Sequence, residues 1–385
     1  MAIKKISILL TAASMLMMFA CAPKPLPTRT EIDTPLHHAN NGNKLLKAGK
    51  LDAAFSEFTR ARELDSQYAP AYVGLGLVDA FRGDFESGLE NLKTAKKFAE
   101  GKEQRASIHI GHMRLYTVGG EKLDTNWLKR VRSEFEDAAD LIPDRAEPYF
   151  YMGMASKQGY EFDKAADQFS RVLDIGQDFV AEAEKEYVLV QKIVRAMPGS
   201  KVGKQIALVE KLTRGDTAAL FIEELKVDAL YRKKTGKTFD ASYKSPEKEF
   251  ITGQYVRAPA VTDIEDHVLK TDIEAVMDVG IKGLEAFPDH TFKPDAAINR
   301  AEFAMMIEEI LIKITQVNDL ATRFIGSTSP FPDLRSDLPC FNAVMLCTTR
   351  GIMAVRDLST GEFDPMGPVS GADALLSIRA LKNQL

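Results

Sequence analysis

A 34-residue period in the first half of the chain constrains its fold more than any other feature. Gly42, Ala54, Phe58 and Ala61 recur 34 residues later as Gly76, Gly88, Leu92 and Ala95. The same frame returns as Gly153, Ala165, Phe169 and Val172, with Tyr149 standing where Tyr72 does. Between them, Phe135, Ala138 and Pro143 keep the frame, and an insertion of about nine residues near Gly101–Gly111 precedes this unit. A fixed period of this length predicts stacked helix pairs, because one pair cannot bury its apolar face alone. The small residues let two helices approach closely and the aromatic fills the space between them. Turn signals fall between the paired helices, at Ala48-Gly49-Lys50, Arg82-Gly83-Asp84 and Gln158-Gly159-Tyr160.

The period and pattern resemble the tetratricopeptide repeat (TPR), over about 145 residues and four units, the third degenerate in its first helix. The packing positions are Gly42, Ala54, Phe58, Ala61, Gly76, Leu92, Ala95, Gly153, Ala165 and Phe169. The resemblance implies a curved solenoid whose concave face holds a peptide or a partner protein. A rigid spacer is the alternative, and no cluster of Lys, Arg or Asn identifies a ligand.

The second half contains three helix starts that align without gaps: Leu212-Thr213-Arg214-Gly215-Asp216, Ile298-Asn299-Arg300-Ala301-Glu302 and Val369-Ser370-Gly371-Ala372-Asp373. Thr213, Asn299 and Ser370 suit the N-cap, and Asp216, Glu302 and Asp373 stand three residues later, as in a capping box. The last two units share more, at a constant offset of 71 residues: Gly280-Ile281 with Gly351-Ile352, Phe292 with Phe363, and Pro294 with Pro365. Asp263 and Asp333 stand near the front of each unit.

These features resemble the S-layer homology (SLH) repeat, most closely in the middle unit with its Asn299-Arg300-Ala301-Glu302. The resemblance implies three repeats in a pseudo-threefold bundle, with grooves that bind an anionic cell-wall polysaccharide or peptidoglycan-linked polymer. It places the sugar contact on Arg214 and Arg300, whose guanidinium groups suit a carboxylate. Gly371 stands where the third arginine would be, which leaves that groove in doubt. The first unit shows no Gly-Ile or Phe-x-Pro, and its first helix is taken from 181–197.

The N-terminus has a basic Lys4-Lys5, an uncharged run from Ile6 to Ala20, and then Cys21. That is the layout of a secretory signal. The run is shorter than the ~20 apolar residues of a spanning helix. The small residue before the cysteine resembles a bacterial lipoprotein signal, which implies lipidation at Cys21. Ala22 is not Asp, which by the same resemblance favours the outer membrane. Cys340 and Cys347 read as small buried residues, with a disulfide left open because the periplasm is oxidising.

The net charge of −5, with both signs interspersed, gives no basic tract for nucleic acid. Catalytic motifs are missing: there is no phosphate-binding loop, no Gly-x-Ser-x-Gly and no His-Glu-x-x-His. His109 and His112 lie one helical turn apart but have no carboxylate or thiolate at ligand spacing in sequence, so no metal or other cofactor is expected. His37 and His38 read as solvated.

The expectation is an all-α chain: signal 1–20, lipidated linker 21–34, TPR solenoid 35–197, and SLH domain 198–385. The SLH units fall near 198–234, 260–314 and 330–385, with an insertion at 235–259. The expected function is non-catalytic attachment in the cell envelope. It combines a lipid anchor in the outer membrane, facing the periplasm, with a wall glycan on the SLH repeats and a protein on the TPR repeats. The alternative is a TPR accessory or assembly factor for an outer-membrane or secretion complex, its SLH part purely structural.

Overall fold

The computed structural model describes residues 32–234 and 261–385. The signal, Cys21 and the 235–259 insertion lie outside the described residues. Within them the chain is all-α, without a named strand, and it divides into two compact units that meet at Tyr187–Val188.

The first unit is a TPR-like helical array. Its helices are α1 (Pro35–Lys47), α2 (Leu51–Leu64), α3 (Ala69–Phe81), α4 (Phe85–Phe98), α5 (Gly101–Leu123), α6 (Trp127–Leu141), α7 (Glu147–Gln158) and α8 (Phe162–Ile175), followed by α9 (Val180–Ala196), which runs on across the boundary. Phe58, Leu92 and Phe169 are fully buried, as are Ala54, Ala61, Ala95 and Ala165. The glycines are small because the rings lie against them: a β-carbon on Gly42 would stand 2.6 Å from Phe58, and one on Gly153 2.7 Å from Phe169. At Gly76 the obstacle is backbone, the Gly88 carbonyl at 2.8 Å, so α3 and α4 touch main chain to main chain. Tyr72 and Tyr149 donate their hydroxyls to the carbonyls of Ser66 and Pro143, tying each unit to the turn before it.

Three features differ from the sequence reading. The extra residues near Gly101 do not interrupt the array. They lengthen α5 to 23 residues, and the helix is kinked at Gly120. In the fourth unit the left-handed turn position held by Gly49 and Gly83 falls to Tyr160, one residue after Gly159, at φ 60°. Gly159 is kept small by Leu128, whose side chain would lie 2.6 Å from an added β-carbon. His38, expected in solvent, is half-buried between Asp33 and Glu57 at 2.8 and 2.7 Å.

The second unit holds the C-terminal half of α9, then α10 (Lys201–Ile206), α11 (Arg214–Ala219) continuing into a π-helical turn at Leu220–Leu225, α12 (Val227–Lys234), α13 (Lys270–Val279), α14 (Arg300–Thr315), α15 (Phe341–Thr349) and α16 (Gly371–Lys382). Its centre is a ring of extended segments. Ile298 N–H donates to the Leu212 carbonyl and Leu212 N–H to the Val369 carbonyl. Asn299 pairs with Pro368. The three helix starts therefore converge with pseudo-threefold character around buried Leu212, Ile298 and Val369. Cys347 is fully buried and Cys340 partly so, and both thiols are free. No helix among the described residues is long and apolar enough to cross a membrane.

Candidate functional site

Each of the three helix starts is capped through its own side chains. Thr213 and Asn299 form reciprocal capping boxes with Asp216 and Glu302. The Ser370 hydroxyl accepts from the Asp373 N–H and donates to its carboxylate.

The arginines that follow those caps are engaged within the protein. Arg214 donates from Nε to the Phe292 carbonyl at 2.8 Å, from Nη1 to Gly283 at 2.5 Å and from Nη2 to Glu285 at 3.0 Å. It also lies over the rings of Phe287 and Phe292. Arg300, only 5% exposed, donates from Nε to the Phe363 carbonyl at 2.7 Å and from Nη2 to Ala354 at 2.6 Å, and it covers the Phe363 ring. Gly283 and Ala354, like Phe292 and Phe363, are 71 residues apart. Each arginine therefore makes the same clamp, from one repeat onto the loop of the next. The sequence reading offered these guanidinium groups to a sugar. The structure has their bonded donors on main-chain carbonyls of the next repeat's loop.

The loop they grip is held from the other side by the acidic turns. Asp263 accepts from the N–H groups of Phe292 and Lys293, at 2.8 and 2.7 Å. Asp333 accepts from Phe363 and Asp364, at 3.0 and 2.6 Å. Lys293 and Asp364 carry positive φ values of 56° and 58°, so the carboxylate secures an unfavourable turn. The sequence showed these aspartates only as recurrent acids. Their role emerges from the fold, although their recurrence at the front of each unit was the available signal.

At the third interface no arginine would fit. A β-carbon on Gly371 would stand 1.7 Å from the Ile206 carbonyl oxygen, and the Gly371 N–H donates to Val209. The main chain of 206–209 occupies the space that a loop and arginine share elsewhere. The anchor there is Glu224, which accepts from the N–H groups of Gly199 and Ser200 and from the Ser200 hydroxyl.

A cavity of about 690 Å³ opens beside the second clamp, lined among others by Lys192, Arg195, Arg300, Arg356, Arg379 and Asp373. Five cations thus face one carboxylate. Lys192 bonds to Asp373 at 2.9 Å. Arg379 donates to the Arg195 carbonyl. Among the described residues no carboxylate forms an ion pair with Arg195, Arg356 or Arg379. Burial would raise the Asp373 carboxyl, but the Lys192 ammonium and the Ser370 hydroxyl outweigh it and hold the group below the usual carboxylate range. The cavity therefore presents an excess of fixed positive charge on a partly apolar wall, the chemistry of a site that retains anions. Only Arg300 of its cations was singled out from sequence, and Arg300 sits at its base.

Residues 284–304 match the S-layer homology domain family. The matched segment carries the Gly283-adjacent turn, Phe292, Pro294 and the Asn299-to-Glu302 cap. A second similarity joins the chain to Tetratricopeptide repeat protein 6 of Homo sapiens, 26% identical over 158 residues. That alignment covers 40% of this chain and 26% of the human protein, so the chain spans about a quarter of its relative's length. The molecule is thus an all-α chain with a TPR-like array and an S-layer homology region. Those two kinds of module support protein interaction and cell-wall association.

Proposed function

We propose that this chain is a non-catalytic attachment protein of the bacterial cell envelope. Its second unit holds an anionic wall glycan or peptidoglycan-linked polymer, and its TPR array holds a protein partner. Cys21, with the basic and apolar segment before it, supports lipidation and an outer-membrane position facing the periplasm. The observation that carries the wall-binding part is the cavity whose cations outnumber its carboxylates five to one, beside the segment that matches the S-layer homology family. In this reading Arg195, Arg356 and Arg379 contact the polymer. Arg214 and Arg300 are proposed to build the grooves by clamping repeats together, with Arg300 as the floor of the charged one.

One observation favours a second reading. The signature guanidinium groups are occupied by the protein itself, which suits an S-layer homology region kept as scaffold for a TPR assembly factor. Co-sedimentation of the full mature chain with purified sacculi that retain their anionic polymers separates the two. Arg195 and Arg356 are exposed, so Arg195→Ala with Arg356→Ala leaves the fold intact. Wild type is expected to sediment, less so as salt rises, and the double variant to lose at least about tenfold in affinity, the loss of 1.4 kcal/mol or more in charged contacts. Equal binding by both proteins removes the cavity from the proposal. No binding by wild type selects the scaffold reading.

A further inference from the structure

The fold brings carboxylates to a histidine pair that had none in sequence. His109 and His112 stand one turn apart on α5, and Glu134 and Asp137 stand one turn apart on α6, so two short faces oppose each other. His109 Nδ1 lies 2.7 Å from Glu134 Oε2 and 3.8 Å from Asp137 Oδ2. His112 Nδ1 lies 3.9 Å from the same Glu134 oxygen. One nitrogen and two carboxylate oxygens, from His109, Glu134 and Asp137, fall within 4.8 Å of one another.

We propose that His109, Glu134 and Asp137 form a binding site for a divalent transition metal of the zinc class, tying α5 to α6. Imidazole with carboxylates is a donor set for zinc and its neighbours rather than for calcium or magnesium, which take oxygen alone. The spacing agrees. Ligands about 2.0–2.2 Å from a tetrahedral ion are about 3.3 Å apart, and the two His109 distances bracket that edge. Each ligand has support behind it. Val131 and Ala138 beside the acids, and Ile110 and Met113 beside the histidines, belong to one buried core. His112 bonds through Nδ1 to the Ile108 carbonyl at 3.1 Å, on the rim of the site. The fourth position faces solvent, since Asp137 is 62% exposed and His109 24%.

The location gives the ion a use. The insertion that breaks the repeat frame lies in α5, which is longer than its neighbours and kinked at Gly120. Among the described residues its pairing with α6 is the most extensive helix contact. A metal brace there fastens the repeat at the helix that the insertion lengthens. The inference stands independently of the reading of the second unit.

The test is equilibrium dialysis of the chelator-stripped full chain against Zn²⁺, with cobalt as a spectroscopic substitute. Wild type is expected to retain one ion, show cobalt d–d bands of a low-coordinate site, and rise in Tm when zinc is added. Asp137→Asn changes an exposed side chain and keeps the fold, and His109→Gln removes the nitrogen. Each is expected to weaken zinc binding by at least about tenfold and to lose the zinc-dependent Tm rise. His290→Gln, in the second unit, should change neither. Failure of wild type to retain zinc, or wild-type affinity in both Asp137→Asn and His109→Gln, overturns the proposal.

Discussion

At the scale of single residues, the side chains that shape this molecule act by what they satisfy or exclude. Gly42 and Gly153 are small because aromatic rings stand 2.6 and 2.7 Å from where a β-carbon would be. That role was legible, because a glycine and an aromatic at fixed separation repeat along the chain. Glu224 was not legible: nothing in Leu220–Leu225 marks one acid as a keystone. Burial pushes its carboxyl up, but the Ser200 and Gly199 amides and the Ser200 hydroxyl pull harder, so its pKa is lowered from an ordinary 4.5. A carboxyl lowered in the folded state contributes stability that is complete above its unfolded pKa and disappears as pH falls through the folded one. Wild type should therefore lose stability below about pH 4.5 more steeply than Glu224→Gln, and the variant should be the less stable of the two at neutral pH. Thermal midpoints collected from pH 3 to pH 7 decide it. Parallel curves would mean that the amides gain nothing from the charge.

At the scale of elements, the repeat is defined by a loop gripped from both sides. Asp263 or Asp333 holds the loop amides, and Arg214 or Arg300 holds the loop carbonyls. The helix starts and their caps were visible in sequence because capping depends on residues three apart. The clamp was not, since Arg300 and its partner carbonyls are separated by 54 and 63 residues. A cation at a helix start also reads naturally as an offer to a ligand. The clamp requires a planar fork over a ring, which a lysine cannot reproduce. Arg300→Met should cost about 1–3 kcal/mol for the buried Phe363 carbonyl left without a donor, and Arg300→Lys should recover only part of it. At the third interface the position is closed by backbone, so Gly371→Ala should also destabilise, by about 1–3 kcal/mol from overpacking. Urea unfolding followed by circular dichroism measures all three. A neutral Arg300→Met would return that side chain to the list of ligand contacts, and a neutral Gly371→Ala would show that the Ile206 segment yields.

At the scale of the whole molecule, two kinds of order coexist. The solenoid was legible nearly throughout because its contacts are local and its period is short. The bundle was legible at its helix starts and recurrent loop residues but not in the contacts that close it, because its ring closes through pairings such as Leu212 with Val369, 157 residues apart. The boundary shows the difference. Sequence places it after Met197, where the repeat pattern ends, whereas the compact units meet at Tyr187–Val188, inside α9. A continuous helix carries no sequence mark of the point where its neighbours change. The division has a thermodynamic consequence. A stacked array is stabilised by nearest-neighbour terms, and a ring of three repeats by its closure, so two compact units need not melt together. Phe169→Ala should remove about 3–5 kcal/mol from the first unit alone, and Arg300→Met should weaken the second alone. Calorimetry of the full chain is expected to resolve two transitions, each variant lowering one and leaving the other in place. If both variants lower a single shared transition, the helix common to the two units transmits stability between them, and the molecule folds as one cooperative body.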